Sequence, residues 1–174
     1  LWLYYKKKGF LVTTKDVKGR PNIFDEIKLK VNKRLISIGR LDFNSEGLLL
    51  LTNNGDFARK LELPQNKFQR NYKVRIFGTI NNKIKDQLKN GIKLNSIKYK
   101  PIELELEEDK GKNRCLTMRL YEGKTRELRK IMDHFGCTVN RLIRISYGPF
   151  DLKDLKPGQL TELKYKNFNK LLKS

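Results

Sequence analysis

The chain has 174 residues and a formal net charge of +20, from 39 lysine and arginine residues against 19 aspartate and glutamate residues. A hydrophobic content of 38% argues against a disordered tail, and no apolar run approaches the roughly 18 residues of a membrane span. Two cysteines and one histidine argue against a disulfide scaffold and a cysteine-based zinc site, and they suit a reducing cytoplasm.

The excess of positive charge indicates a polyanionic partner, namely RNA, DNA or an anionic membrane surface. Lysine and asparagine are both abundant, so a general compositional bias accounts for part of the excess. Charge therefore favours nucleic acid but does not identify it.

Short strands and short helices follow one another in the first part of the chain. LWLYY and FLVTT flank KKKG and predict two strands around a turn. A short helix is predicted after Asn22, and RLISI and LLLLT predict buried strands, with turn residues in TNNG. DFARKLEL predicts one or two helical turns that end at Pro64. The polar segment 64–70 is a weak candidate for a domain boundary.

Period-two alternation is frequent in the second part of the chain. NYKVRIFG predicts a strand, and NNKIKDQLKNG predicts a helix that ends at Gly91. IELELEE and CLTMRLYEG predict an antiparallel pair around DKGKNR. KTRELRKIMDHFG predicts a helix with Thr125 as cap and Gly136 as stop. RLIRISYGPF and QLTELK predict the last strands, and NFNKLLKS predicts a tail helix.

Strands and helices without regular βαβ alternation predict an α+β fold on a mixed, mainly antiparallel sheet. The stretch GRLDFNSEGLLLLTNNG adds a candidate site, because Asp42 stands just before the four leucines 48–51. A carboxylate there would lose solvation, and a nearby arginine would keep it ionised through a bidentate contact. The alternative is an Asx turn, in which Asp42 holds the main chain of Asn44 or Ser45.

Two further stretches carry cations. On the predicted helix 125–135, Arg126, Arg129, Lys130 and Asp133 form one polar face opposite Leu128, which is either a phosphate-binding surface or an ordinary solvated face. RNYKVR places Tyr72 among Arg70, Lys73 and Arg75. This pattern suits stacking on an RNA base, and the alternative is a tyrosine on a sheet face.

Four motifs in order, GRLDFNSEGLLLLTNNGDFARKL, NYKVRIFG, EGKTRELRKIMDHFG and VNRLIRISYGPFDLKDLKPGQLTEL, resemble the pseudouridine synthases of the ribosomal small- and large-subunit type. The opening LYYKKKGFLVTTKDVKGRPNIFDEI also matches, so the resemblance covers almost the whole chain. It implies the pseudouridine synthase fold, with short helices and a mainly antiparallel mixed sheet around a central catalytic cleft.

The resemblance also implies roles for particular residues. Asp42 would be the catalytic nucleophile or acid/base, Tyr72 would stack on the target base and is a candidate proton acceptor, and Arg126 would pair with Asp42. Leu142 would line the uracil pocket. The cations that would hold phosphates, contact the RNA or brace the catalytic loop are Arg40, Arg129, Lys130 and Lys73.

The family needs no cofactor or metal, and its substrate is ribosomal RNA. The wording of GRLDFNSEG and VNRLIRISYGPF is most similar to enzymes acting on 23S rRNA, and the 16S branch is the runner-up. We expect a cytoplasmic monomer without membrane association. Residues 1–174 would form the catalytic domain, without the S4-type RNA-binding domain that precedes it in most members. Ser45 and Asn54 replace the usual threonine and aspartate of the family but keep hydrogen-bonding groups.

Two other classes remain open from the residues alone. A non-catalytic rRNA-binding protein would use the basic surface but would not need Asp42 and Arg126. A nuclease would need clustered carboxylates to hold Mg²⁺. The acidic run ELELEED alternates, which spreads its carboxylates along one exposed strand face.

Overall fold

A nine-stranded sheet forms the centre of the structure, a computed structural model that describes residues 1–14, 16 and 18–164. The strands are β1 (Trp2–Lys6), β2 (Ile36–Ile38), β3 (Glu46–Thr52), β4 (Arg70–Phe77), β5 (Ile92–Leu94), β6 (Ile97–Tyr99), β7 (Glu103–Lys110), β8 (Asn113–Leu120), β9 (Thr138–Tyr147), β10 (Phe150–Asp151) and β11 (Leu160–Glu162). The helices are α1 (Ile23–Lys28), α2 (Gly55–Glu62), α3 (Asn82–Asn90) and α4 (Glu127–His134), with a 3-10 turn at Pro64–Asn66.

The strand order is β11-β1-β3-β9-β4-β8-β7, with β2 added beside β3 and β10 beside β9. Strands β5 and β6 form a separate hairpin. Among the described strands, every pairing is antiparallel except that of β3 with β9. The predicted α+β class and mainly antiparallel mixed sheet are therefore confirmed.

The leucine run of β3 is buried because the sheet is covered on both faces at this strand. Leu49 and Leu51 belong to one apolar cluster, which α1, α3 and α4 help to cover. Leu48 and Leu50 belong to a second cluster on the opposite face, which α2 covers. Four consecutive leucines are thus what a strand with two covered faces requires.

Asparagine side chains fix the start of three helices. The side chains of Asn22, Asn54 and Asn81 accept hydrogen bonds from main-chain N–H groups in the first turns of α1, α2 and α3. These N–H groups have no partner inside the helix, so the caps stabilise each start by about 1 kcal/mol. The predicted helix after Asn22 and the predicted helix over NNKIKDQLKNG that ends at Gly91 are confirmed.

The prediction of a strand at FLVTT is wrong. Leu11 forms only an isolated bridge with Asn22, and its N–H donates to the carbonyl oxygen of Pro21 at 2.9 Å. The reason is that β1 already has β3 on one side and β11 on the other, so it offers no free edge.

Strand β2 is confirmed as a strand but is only partly buried, because it lies beside the main strand order and Ile36 is 37% exposed. The predicted tail helix at NFNKLLKS lies outside the described residues. In the described part of the chain, no helix has the length and apolar character needed to cross a lipid bilayer.

The single parallel pairing sets the position of the loop that carries Asp42. Glu46 and Gly47, at the start of β3, pair with Ile143 and Arg144 of β9. The pairing is reinforced by a two-pronged ion pair, in which the guanidinium of Arg141 contacts the Glu46 carboxylate at 2.9 and 3.0 Å.

Gly47 permits this close approach. Its φ of +103° is unfavourable for other residues, and a Cβ atom built there would lie 2.7 Å from the main-chain nitrogen of Arg144.

We predict that Gly47→Ala lowers the free energy of unfolding by more than about 1 kcal/mol, because the methyl group meets β9 main chain and the φ is strained. Gly55→Ala is the matched control, since a Cβ atom at this first residue of α2 meets no atom within 4 Å. Denaturant unfolding of both variants checks this. Equal stability of the two variants would contradict the importance of the β3–β9 contact.

Candidate active site

A central cavity of about 920 Å³ opens on one side of the sheet. Its wall comes from the loop 39–45, from β4, from the segment 120–128 and from β9. Five of the sequence-predicted site residues line it, namely Arg40, Asp42, Tyr72, Arg126 and Leu142. The structure thus brings together residues that lie up to about 100 positions apart in the chain, although their chemical roles stay predictions.

Asp42 lies partly buried in the loop between β2 and β3. The hydrogen bond that closes its turn runs from the Ser45 N–H to the main-chain oxygen of Asp42 at 2.9 Å, so it does not occupy the carboxylate. Among the described residues, the Asp42 carboxylate has no hydrogen bond or ion pair. The bidentate contact with an arginine is therefore not formed here, and the pairing with Arg126 stays a prediction.

Lys6 holds the Asp42 loop through hydrogen bonds to its main chain. Its fully buried ammonium group donates to the carbonyl oxygens of Ser45 at 2.7 Å, Lys7 at 3.0 Å and Phe43 at 3.4 Å. Burial lowers the pKa of Lys6 to about 8, although the negative charges of Asp42 and Glu46 oppose the shift. The sequence gives no signal for this role, because Lys6 begins a run of three lysines that resembles a surface turn.

Arg129 supports the same loop from α4. Its guanidinium donates to the carbonyl oxygens of Val139 at 2.8 Å and Asn44 at 3.0 Å. Burial and the charge of Arg126 lower the pKa of Arg129, while Asp42 opposes that shift. Of the roles predicted for Arg129, these contacts support bracing of the loop.

Arg126 is presented by an unusual helix start. The residue precedes α4 with a left-handed main chain, at φ 53°, and its side chain is exposed. The prediction that Thr125 caps this helix is wrong. Instead the carboxylate of Glu127, the first helical residue, accepts a hydrogen bond from the Lys124 N–H at 2.9 Å. The side chain thus reaches back and gives a main-chain N–H of the preceding loop its partner. Left-handed conformations of non-glycine residues are strained and are frequent at functional sites.

Two buried carboxyl groups line the cavity beside Arg126. Glu122 accepts a hydrogen bond from the Lys100 N–H at 2.7 Å and pairs with the Lys124 ammonium. Burial acts to raise the pKa of Glu122, but these two donors lower it. Burial raises the pKa of Glu127 to about 7, and the negative charge of Glu122 adds to the shift. Glu127 thus holds its proton up to about neutral pH.

Tyr72 and Leu142 form the inner wall of the cavity. In the β4–β9 pairing Tyr72 stands opposite Arg144, and the next inward residue of β4, Val74, stands opposite Leu142. Both Tyr72 and Leu142 are more than nine-tenths buried. An aromatic ring and an aliphatic side chain on neighbouring strands suit the two sides of a planar base.

Two buried arginines line the cavity: Arg70, which the sequence placed beside Tyr72 in a candidate RNA-contacting stretch, and Arg144, which was not identified from the sequence. Arg70 donates to the hydroxyl of Tyr147 at 2.8 Å, and Arg144 donates to the carbonyl oxygen of Leu48 at 2.8 Å. Both guanidinium groups lie over the Tyr147 ring, at 4.5 and 5.1 Å from its centroid. They add positive charge to the cavity wall, and the inward position on β9 is the signal that could have revealed Arg144.

Two predicted contacts lie away from the cavity. Lys73 is exposed on the opposite face of β4, where it forms an ion pair with Glu107 at 3.4 Å. Lys130 is exposed on the outer side of α4. Neither lines the cavity, because alternation on the strand and rotation on the helix turn these side chains away from it. Within the described residues, no three His, Cys, Asp or Glu side chains cluster as metal ligands would.

The sequence pattern of the RNA pseudouridylate synthase family matches residues 1–134. The chain belongs to that family. As a member it is an RNA pseudouridine synthase, an isomerase, and we refer to it below as the synthase.

Relatives support the membership over nearly the whole chain. An uncharacterized RNA pseudouridine synthase of Rickettsia bellii is 47% identical over 163 residues, which are 94% of this chain and 70% of the relative. A ribosomal large subunit pseudouridine synthase B of Buchnera aphidicola is 42% identical over 172 residues, which are 97% of this chain and 69% of the relative.

A solved structure shows the same fold. The crystal structure of a pseudouridylate synthase superimposes with a TM-score of 0.86 at 24% identity, covering 98% of this chain and 72% of that one. The predicted pseudouridine synthase fold is therefore confirmed.

We predict that the free energy of unfolding of Glu127→Gln, measured relative to wild type, is higher at pH 8 than at pH 5. An unfolded glutamate ionises near 4.5 and the folded one near 7, so stability from protonated Glu127 is present below about pH 4.5 and is lost as pH rises through 7. Glutamine keeps the Lys124 contact without this loss, which is about 2 kcal/mol between the two pH values. Denaturant unfolding at both pH values measures it.

The control is Asp133→Asn, which removes one negative charge from an exposed position of the same helix. Its effect should not change between pH 5 and pH 8 in the way predicted for Glu127→Gln. The same pH response in both variants would contradict a raised pKa of Glu127 in the folded protein.

Proposed function

We propose that the synthase isomerises a uridine of large-subunit ribosomal RNA to pseudouridine, with Asp42 as its catalytic residue. One observation carries the assignment to Asp42. Four carboxylates line the cavity, and three are engaged: Glu62 accepts from the Gly39 N–H at 2.6 Å, and Glu122 and Glu127 hold the segment before α4. Among the described residues, Asp42 is the cavity carboxylate without such a partner, so its oxygens are available to a substrate.

The reaction rearranges bonds within one nucleoside. The bond between N1 and C1′ breaks, the uracil rotates, and a bond forms between C5 and C1′. The proton on C5 leaves and N1 gains one, so no atoms are added and no redox partner is required. Attack on C1′, addition at C6 and removal of the C2′ proton are three possible first steps, and each begins from an ionised carboxylate.

The target base must leave its helix to reach Asp42, which costs a few kcal/mol of unstacking. Tyr72 and Leu142 recover this cost by contacting the two sides of the uracil. Their neighbouring positions on β4 and β9 support these roles. The buried guanidinium groups of Arg70 and Arg144 add positive charge near the base and its phosphate.

Arg126 supplies a positive charge that pairs with the Asp42 carboxylate when RNA is bound. Its guanidinium lines the same cavity and, among the described residues, forms no hydrogen bond or ion pair. A free carboxylate and a free guanidinium in one cavity favour each other once RNA excludes water. Arg40, exposed at the rim, is suited to contact a phosphate.

Ribosomal RNA of the large subunit is supported by the name of the Buchnera aphidicola relative and by the net charge of +20. A protein that only binds rRNA would not need an unoccupied carboxylate in a cavity. A nuclease is disfavoured because acidic residues of β7 form ion pairs on the exposed sheet face, Glu105 with Arg119 at 2.7 Å and Glu107 with Lys73 at 3.4 Å.

The synthase is further proposed to act as a monomeric catalytic domain in the cytoplasm, without a cofactor. The residues to which roles are assigned above lie together in one chain, which supports a monomer. Both cysteines, Cys115 and Cys137, are free, which suits a reducing compartment.

We predict that treatment of 23S and 16S transcripts with the synthase yields pseudouridine at a position in the 23S RNA. Mass-spectrometric mapping of both RNAs measures it, with untreated transcripts as control. Modification confined to 16S rRNA would overturn the substrate but keep the chemistry. No pseudouridine in either RNA would overturn the proposed function.

We predict that Arg126→Ala lowers the turnover rate about 100-fold while RNA affinity changes little, because the guanidinium acts on a charge in the reaction. Arg126→Lys should recover only part of the rate, since an ammonium cannot form the two-pronged contact. Single-turnover kinetics with a parallel binding titration measure both.

Lys130→Ala is the matched control, because Lys130 lies in the same helix but outside the cavity. It should keep the wild-type rate. An Arg126→Ala variant as fast as Lys130→Ala would refute the role of Arg126.

A further inference from the structure

Tyr121 is an exposed aromatic residue at the wall of the central cavity. It follows the last residue of β8 and is 37% exposed. The large apolar side chains that are exposed among the described residues are Leu29, Ile36, Phe77, Ile97 and Tyr121. Of these five, only Tyr121 lines the cavity. An exposed aromatic ring at the wall of a binding site is available to stack on a ligand.

The other aromatic side chains of the cavity are already occupied or assigned. Phe43 has the guanidinium of Arg20 above its ring at 5.7 Å. Tyr147 is 1% exposed, and Tyr72 is the proposed partner of the target uracil. Among the described residues, no cation or second aromatic ring stacks on Tyr121.

The Tyr121 ring is held in place without being covered. Its hydroxyl accepts a hydrogen bond from the side-chain amide of Gln69 at 3.0 Å. The main chain of Gln69 is itself fixed, because its carbonyl oxygen accepts from the Gly148 N–H at 2.7 Å. A ring that is oriented before binding loses less freedom when a ligand stacks on it.

The spacing from Tyr72 suits a neighbouring nucleotide. In the β4–β8 pairing Tyr72 stands opposite Met118 and Arg70 opposite Leu120, so Tyr121 lies about three residues, or about 10 Å, along the strands from Tyr72. The residues after Tyr121 include Lys124 and Arg126, which also line the cavity. An aromatic ring next to cations is the arrangement that binds a single-stranded nucleotide through base and phosphate.

We propose that Tyr121 stacks on a base that flanks the target uridine, so that the cavity binds two nucleotides of an unpaired RNA segment. This inference rests on the proposed function, because it places the target uracil on Tyr72. Stacking of this kind accepts any base, so Tyr121 would add affinity for the nucleotide beside the target rather than select its sequence.

The first test measures the affinity of a short single-stranded oligouridylate by fluorescence anisotropy. Tyr121→Leu should weaken binding about 5- to 150-fold. Tyr121→Phe should weaken it less than about 3-fold, because it keeps the stacking ring and loses only the hydrogen bond from Gln69 that orients it. Phe77→Leu is the control, since Phe77 is 47% exposed on the outer face of β4. Wild-type affinity of Tyr121→Leu would overturn the proposal.

The second test places a single abasic nucleotide at each position around the uridine found by mapping. At one flanking position the abasic RNA should bind wild type more weakly but bind Tyr121→Leu no more weakly than intact RNA, because the same contact is already lost. If at every position the abasic RNA weakens binding to Tyr121→Leu as much as binding to wild type, stacking on a flanking base is contradicted. The proposed function is judged separately, by pseudouridine formation with wild type.

Discussion

The parallel contact between β3 and β9 is the constraint on which the site depends. It places the loop before β3 beside the strand that contributes Leu142, and β9 in turn pairs with the strand that contributes Tyr72. The close approach requires Gly47, whose left-handed main chain leaves no room for a side chain. The buried leucines after it fix β3 from both faces, so the Asp42 loop begins from a rigid strand.

The cations that hold the Asp42 loop are different from the charged side chains that are available for the reaction. Lys6 and Arg129 use their donors on main-chain oxygens of the Asp42 loop and leave the carboxylate itself unoccupied. Arg126 lines the same cavity, on a helix start held by the buried carboxyl of Glu127. A preorganised loop of this kind holds a reacting group in place without further reorganisation, which is a large part of what an active site contributes to rate.

Local patterns made much of this structure predictable. Alternation identified β4, β7 and β8, and the covered leucine run identified β3. The prediction of a strand at FLVTT was wrong because a strand must pair with a free edge of the sheet, and the sequence does not show which edges are free. Thr125 was wrong as a cap because Glu127 reaches back to the loop, and Lys6 was missed because a buried lysine and a surface lysine look the same in a sequence. The motif resemblance brought Asp42, Tyr72 and Arg126 together, and the RNYKVR pattern already named Arg70, whereas Arg144 became apparent only from strand register.

The central claim is that the unoccupied carboxylate of Asp42 performs the chemistry, and release of tritium from C5-labelled uridine in ribosomal RNA tests it most directly. Tritium leaves only when C5 forms its bond to the sugar. Asp42→Asn keeps the shape of the side chain, so RNA affinity should stay within a few fold while release falls below about 1% of the wild-type rate. Release by Asp42→Asn at a rate near that of wild type would contradict the account.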